Sequence, residues 1–527
     1  MNLEVDLVAT LPVLAPLVAA VLVLLLDAAA PGRREPHLLL AGGGLLAGAL
    51  GTWPGLRQVA GDARGAFCLP TGECLYVADR LTSVLQLTAL LGALVVLVLA
   101  WDDWRRPSGA GRAPVVASLV LGATAGAAAV PAAGDLGTLL VSLELAPLPT
   151  VALVVLTDPR WSSGRRAGAV DGAVSLLTTS LVSFGLIALG AAVWVAATGT
   201  VLLDAPTTDD TGLLAVAAVL VLAGLAFKVS AVPFHAWTPV TYTRAPLPVT
   251  AYLATVSKVA ALGGLIVLVR ALGTVDDTTL LAVALLAALS MTVGNLVALG
   301  QDDTVRLLAW STVAQAGWVL LPLAGLSSRA VHAAGSYLVV YVLGTMLALV
   351  VVVAVARAVG HGPVGHGPVG TGAGTALAAH RGLVRSRPLL GLPLALALLT
   401  LAGLPPAVLG LVAKIVALRP VAADGTWWLA VVAAVNVALG IAVYVRWVAV
   451  LLQTPDAEAP GAGAATARED APEPSAPSGP SSLAEAPDEG ATEGDRAATR
   501  VPVREAVLVG ALTAAVVVGS VAPFGVL

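Results

Sequence analysis

The chain has 527 residues, 58% of them hydrophobic and 11% charged, with a formal net charge of −4. A soluble domain carries about a quarter charged residues, so a soluble enzyme is excluded; with no basic patch and only 4% aromatics, so is a nucleic-acid surface. Repeated apolar runs of about 20 residues fit helices across a hydrocarbon core ~30 Å thick and do not fit barrel strands.

In chain order the runs place helices at 7–26, 38–53, 81–100, 115–130, 136–156, 167–189 and 213–237. Seven more follow at 248–269, 280–299, 305–323, 331–355, 389–418, 428–451 and 507–521. The expectation is an all-α polytopic membrane protein of about 14 transmembrane helices. Glu4 and Asp6 stand where a cleavable signal would be basic, so the first run reads as a retained helix. Cys68 and Cys74, the only cysteines, fall in the loop before the third helix; they either form a disulfide or stand as two free thiols.

Two runs are interrupted. The seventh contains Pro233, and the twelfth contains Pro405-Pro406, which removes backbone donors and breaks the helical ladder. Interrupted helices in both halves of a bundle point to a transport site. The HGPVGHGPVG repeat with His361 and His366 reads as a loop, since two histidines without further ligands are a poor metal site. Residues 454–502, rich in Pro, Ala, Gly, Ser and acids, read as a disordered linker before the last helix. Loop arginines cluster on one side, at 33–34, 105–112, 160–166 and 381–387. The positive-inside rule then puts both termini outside.

The chain holds only three lysines, Lys228, Lys258 and Lys414, and all three lie inside apolar runs. Arginine supplies the charge elsewhere, as expected of a GC-rich gene. A guanidinium stays protonated in a protein, whereas a buried amine can give up its proton. A site that must alternate between charged and neutral needs lysine, and a charge at bilayer depth costs ~2.5–3.5 kcal/mol, so it normally marks function. Structural ion pairs are the plain alternative. Glu144, alone among apolar residues in VSLELAPLP, is the natural partner for a lysine. A Glu–Lys contact that opens and closes changes the proton affinity of the amine. His235 follows Lys228 by seven residues, two turns on one face of an unbroken helix, and suits a proton chain. Ser230, Thr255, Ser257 and Gln315 are candidates to hold water between these groups. No nucleotide-binding loop, CxxC cluster or haem motif is present, so energy must come from a partner or an ion gradient.

The stretch LAFKVSAVPFHAWTPVTYTRAPLPVTAYLATVSKVAAL (225–262) strongly resembles the core signature of the antiporter-like membrane subunits of respiratory complex I, NADH-quinone oxidoreductase. The blocks beginning at Gly294 and Leu399 resemble the next two shared segments, and the subunit N branch is the nearest match. The resemblance implies two inverted five-helix repeats with helices 7 and 12 interrupted. It divides the chain into a three-helix segment (1–112), repeats at 113–271 and 272–453, the linker, and a last helix at 503–527. It implies a proton path through Glu144, Lys228, His235, Lys258 and Lys414 in a bacterial plasma membrane. NADH, FMN, iron–sulfur clusters and quinone would belong to partner subunits. A multi-subunit cation/proton antiporter, a membrane-bound hydrogenase and a non-pumping structural subunit are the alternatives. Three positions depart from the pattern. Asp171 stands where a sixth-helix lysine is usual, Arg244 appears in a loop that normally carries Asp and Glu, and Thr345 replaces a common Asn.

Overall fold

The computed structural model describes residues 6–521 except 32, 34, 60–61, 71, 106–111, 157–160, 205–206, 273–276, 326–327, 361–373 and 455–501. The histidine repeat at His361 and His366 and nearly all of the linker at 454–502 therefore lie outside the described residues.

The chain opens with α1 (Leu7–Ala29), α2 (Glu35–Gly51) and α3 (Trp53–Leu56). A hairpin of β1 (Arg64–Cys68) and β2 (Cys74–Ala78) precedes α4 (Arg80–Arg105) and α5 (Arg112–Ala129). Next come α6 (Leu136–Leu145), α7 (Leu148–Val155), α8 (Ser163–Thr198), α9 (Thr211–Val229) and α10 (Trp237–Arg244). The centre is α11 (Leu247–Ala254), α12 (Val256–Ala271), α13 (Asp277–Leu299), α14 (Thr304–Leu320) and α15 (Ser328–Gly360). The chain ends with α16 (Leu383–Ser386), α17 (Pro388–Ala402), α18 (Val408–Ala423), α19 (Trp427–Leu452) and α20 (Val503–Val521). Among the described residues, 13 helical segments are long and apolar enough to cross a membrane, and the bent pair containing α17 raises this to 14.

The few acids explain where several helices begin. Asp6, Asp79, Asp135, Asp210 and Asp303 each accept a backbone N–H in the first turn of the helix that follows. Such caps satisfy amides that have no partner inside the helix. Helices α11, α12, α14 and α15 are buried around nearly their whole girth, whereas α8 and α20 turn most of theirs outward. The last helix is fastened by charge. Arg357 of α15 pairs with Glu505 of α20 and with Asp103 of α4, while Arg504 meets Asp102 at 2.7 Å.

Several expectations change. The seventh run is interrupted as expected, but ahead of Pro233: α9 stops at Val229 because Ser230 takes a left-handed φ of 70° and its amide bonds back to Ala226 and Phe227. Run eight breaks at Thr255, between α11 and α12, without any proline at the break. The fifth breaks between Leu145 and Leu148, around Pro147. The sixth is longer than expected at 36 residues. The loop before α4, read as irregular, forms the β1–β2 hairpin, closed by a Cys68–Cys74 disulfide. Arg64 ties this hairpin to Asp6 at 2.7 Å, and Gln86 donates to the Tyr76 hydroxyl.

Asp79 does two jobs, capping α4 through Thr82 N–H at 2.7 Å and pairing with Arg270 at 3.0 Å. Burial by itself raises its carboxyl, but Arg270 and the Thr82 amide together hold it below the usual carboxylate range. A lowered value in the fold means stability that is present above about pH 4 and is lost as pH falls through the folded value. Asp79→Ala should cost about 1–2 kcal/mol at neutral pH. Thermal unfolding in detergent should show the deficit at pH 7 and a narrowing gap toward acid.

Candidate functional site

Each of the four buried charges singled out in the sequence lies at a helix interruption. Glu144 occupies the last turn of α6, Lys228 the last turn of α9, Lys258 the first turn of α12, and Lys414 lies in α18 just past the α17 break. For the lysines the reason is the helix end beside each amine, and Glu144 is held by Lys228. The last carbonyls of a helix have no intrahelical donor, and the partial negative charge at that end attracts a cation.

Lys228 Nζ donates to Glu144 Oε1 at 2.7 Å and to Ser180 Oγ at 3.3 Å. Their side chains are 8% and 16% exposed, so the pair is largely withdrawn from solvent. A half-open cavity of about 40 Å³ adjoins it, lined by Lys228, Thr150, Thr179, Ser180 and Ser257 among mostly apolar walls. It has room for water, and these side chains offer it partners.

Lys258, with no exposed surface, reaches the end of α9. Its Nζ donates to the Lys228 and Val229 carbonyls, both at 3.2 Å, and to Ser230 Oγ at 2.6 Å. The Trp237 ring lies 4.7 Å from the amine. Lys414 repeats the arrangement in the second half. Its Nζ donates to the Ala402 carbonyl at 2.8 Å, at the end of α17, and sits 4.9 Å from the Trp318 ring. Helix α17 ends through Gly403, whose φ is 77°. A Cβ there would also come within 2.9 Å of the Lys414 stem, so glycine is required twice over. Aromatic faces stabilise a desolvated cation without fixing its proton.

The structure thus brings Glu144 to Lys228 and brings Lys258 to the same helix end. It does not place His235 on the face of Lys228. The α9–α10 break turns His235 toward α14, where its ring packs 5.1 Å from Trp310. Its Nδ1 is buried, with no hydrogen-bond partner of good geometry among the described residues. Of the polar residues expected to bridge the lysines, Ser230 touches Lys258 directly, Thr255 and Ser257 both bond back to carbonyls of α11, and Gln315 joins α14 to α15 and α19. Trp237, Trp318 and Ser180 were missed. Nothing in the spacing joins Trp318 to Lys414 or Ser180 to Lys228; only the packing does. Two departures from the family pattern meet each other: Arg244 of α10 pairs with Asp171 of α8 at 3.0 Å.

A family profile described as NADH:quinone oxidoreductase/Mrp antiporter, TM matches residues 133–440. The NADH-quinone oxidoreductase subunit N 2 of Streptomyces griseus is 39% identical over 485 residues, covering 88% of this chain and 86% of that one. Subunit N of Salinispora tropica is 42% identical over 474 residues, covering 85% and 86%. Among solved structures, a chain of respiratory complex I from Thermus thermophilus superposes with a TM-score of 0.72 at 28% identity, covering 97% of both.

Removing one partner of a buried ion pair strands the other, at about 3–5 kcal/mol. Lys228→Met and Glu144→Gln should each lower the unfolding midpoint in detergent, and the double variant should recover part of the loss. Strictly additive midpoint shifts would show that the two groups do not interact.

Proposed function

This chain belongs to the NADH:quinone oxidoreductase/Mrp antiporter transmembrane family, and on that premise we propose that it is a proton-translocating membrane-arm subunit of NADH-quinone oxidoreductase. Electron transfer from NADH to quinone takes place on partner subunits, which carry the nicotinamide, flavin, iron–sulfur and quinone sites. This subunit turns the resulting conformational or electrostatic signal into movement of protons across a bacterial plasma membrane. Its two halves, 113–271 and 272–453, act as inverted repeats, and both termini face outward.

The observation that carries this reading is the position of the amines. Three lysines in a chain of 527 residues all point at helix ends or a carboxylate inside the bundle. A proton enters beside the Lys228–Glu144 pair, where the adjoining cavity offers room for water. Opening the 2.7 Å contact changes how tightly Lys228 holds its proton. The proton passes to Lys258, which already bonds to the backbone of Lys228, and from there across the bundle to Lys414. His235 is an exchangeable group in the same break, facing the second half. The Asp171–Arg244 pair makes those two departures mutually neutral, which favours a working subunit over a vestigial one. Relatives named subunit N favour complex I over an antiporter assembly.

Lys258→Ala and Lys258→Arg test the reading together. Both remove a group that can deprotonate, although arginine keeps the charge. Proton uptake into inverted vesicles containing the assembled complex should fall by at least about tenfold in both. Normal pumping by the arginine variant would overturn the relay.

A further inference from the structure

Between Lys258 and Lys414 stands α14, buried along nearly its whole length, and one face of it carries Ser311, Thr312, Gln315 and Trp318. Three tyrosines converge on that face. Tyr337 and Tyr341 come from α15, and Tyr444 comes from α19. The chain has six tyrosines in all, and every one is buried, so three at one place is a concentration that the composition does not supply by chance.

Hydrogen bonds span most of the distance between the two lysines, with gaps beside each amine and between Thr312 and Ser311. The Tyr341 hydroxyl lies 2.5 Å from the Ala254 carbonyl, at the α11–α12 break one residue before Thr255, and Lys258 stands in the first turn beyond that break. It also lies 3.2 Å from Thr312 Oγ1. The Tyr242 hydroxyl donates to the Leu253 carbonyl at 2.8 Å, and the Tyr242 ring meets Trp237, the ring beneath Lys258. Beside Thr312, Ser311 Oγ bonds the Tyr444 hydroxyl at 2.6 Å. Gln315 Nε2 donates to Tyr444 at 2.9 Å and to the Leu401 carbonyl at 3.3 Å, next to the Ala402 carbonyl that receives Lys414. Gln315 Oε1 accepts from Tyr337 at 2.6 Å, so the amide is held in one orientation.

Two of these hydrogens are turned away from the route. Tyr341 has one hydroxyl hydrogen and two acceptors, and the nearer is the Ala254 carbonyl. Thr312 donates backward to the Leu308 carbonyl at 2.9 Å. A backbone carbonyl accepts a hydrogen bond but passes no proton on, so in this arrangement the chain of hydroxyls is interrupted.

We propose that Tyr341 and Thr312 form a two-position hydroxyl switch that admits protons from the Lys258 site to the Lys414 site. In the closed position both hydrogens rest on backbone carbonyls. In the open position Tyr341 turns toward Thr312, and Thr312 turns toward Ser311 and Tyr444. Tyr341 then gives its proton to Thr312 Oγ1 as Thr312 gives its own onward, and a proton released by the Lys258 ammonium and carried by water across the gap between them restores the tyrosine. One proton leaves Lys258, one arrives at the neutral Lys414 amine, every hydroxyl regains its hydrogen, and no electrons move. Gln315 is a positioning residue that holds Tyr444 against α14 and reaches the Leu401 carbonyl, next to the one that receives Lys414.

The proposal rests on the lysine relay above, and the test separates the two. Complexes carrying Tyr341→Phe, Thr312→Val, Thr312→Ser and Lys258→Ala are reconstituted into vesicles, and protons moved per NADH oxidised are measured. Tyr341→Phe and Thr312→Val should lose pumping by about tenfold or more, as Lys258→Ala does, while Thr312→Ser keeps it because a hydroxyl remains. The serine rescue is the readout that a purely structural role would not give, since serine leaves a larger void than valine. Loss in Lys258→Ala with full pumping in Tyr341→Phe and Thr312→Val would overturn the switch and leave the relay standing. Full pumping in Lys258→Ala would overturn both.

Discussion

The bond between a lysine ammonium and the carbonyls at the end of a broken helix is the interaction on which the rest of the molecule depends. A bilayer offers no water to an unpaired carbonyl, so a helix that stops at membrane depth needs donors from the protein. Lys258 supplies them to the end of α9, and Lys414 supplies one to the end of α17. The dependence runs in both directions. Without the breaks the amines would have nothing to offset their desolvation, and without the amines the breaks would leave polar backbone stranded. This mutual need explains why the charges and the interruptions coincide instead of being scattered through the bundle.

The same balance makes the site movable. A proton leaving Lys258 converts a charge-assisted contact into a neutral one, which is weaker by about half. The end of α9 then loosens where Lys228 is attached, and Lys228 in turn holds Glu144 on α6. Protonation and helix position are therefore linked through a few named bonds. No long lever within this chain is required. The C-terminal helix lies apart from these bonds at one end, where Arg357 pins it to α4 and α15. At the other end Ser520 meets the Leu409 amide at the start of α18, close to the break that serves Lys414.

Much of this was legible in the residues. The apolar runs located the helices, and Pro233 and Pro405-Pro406 located two breaks, because both signals are local. The break at Thr255 was not legible. Its backbone conformation sits among Ala, Thr, Val and Ser, none of which forbids a helix, and Tyr341 from α15 takes up the Ala254 carbonyl there. His235 was misjudged for a related reason. Periodicity assumes one axis, and the left-handed Ser230 ends that axis five residues earlier. The hairpin was hidden because its strands are five residues each and one is rich in small side chains. The Asp171–Arg244 pair looked like two separate losses until packing set α8 against α10.

The burial of all six tyrosines has a use beyond the fold. Phenol absorption and vibrational bands respond to hydrogen bonding, and in most proteins solvent-facing phenols drown the few that matter. Here no such background exists in the purified chain. Half of the phenols are Tyr337, Tyr341 and Tyr444, along the stretch between the two amine centres. The subunit carries its own spectroscopic reporter at the place where a passing charge would be most informative.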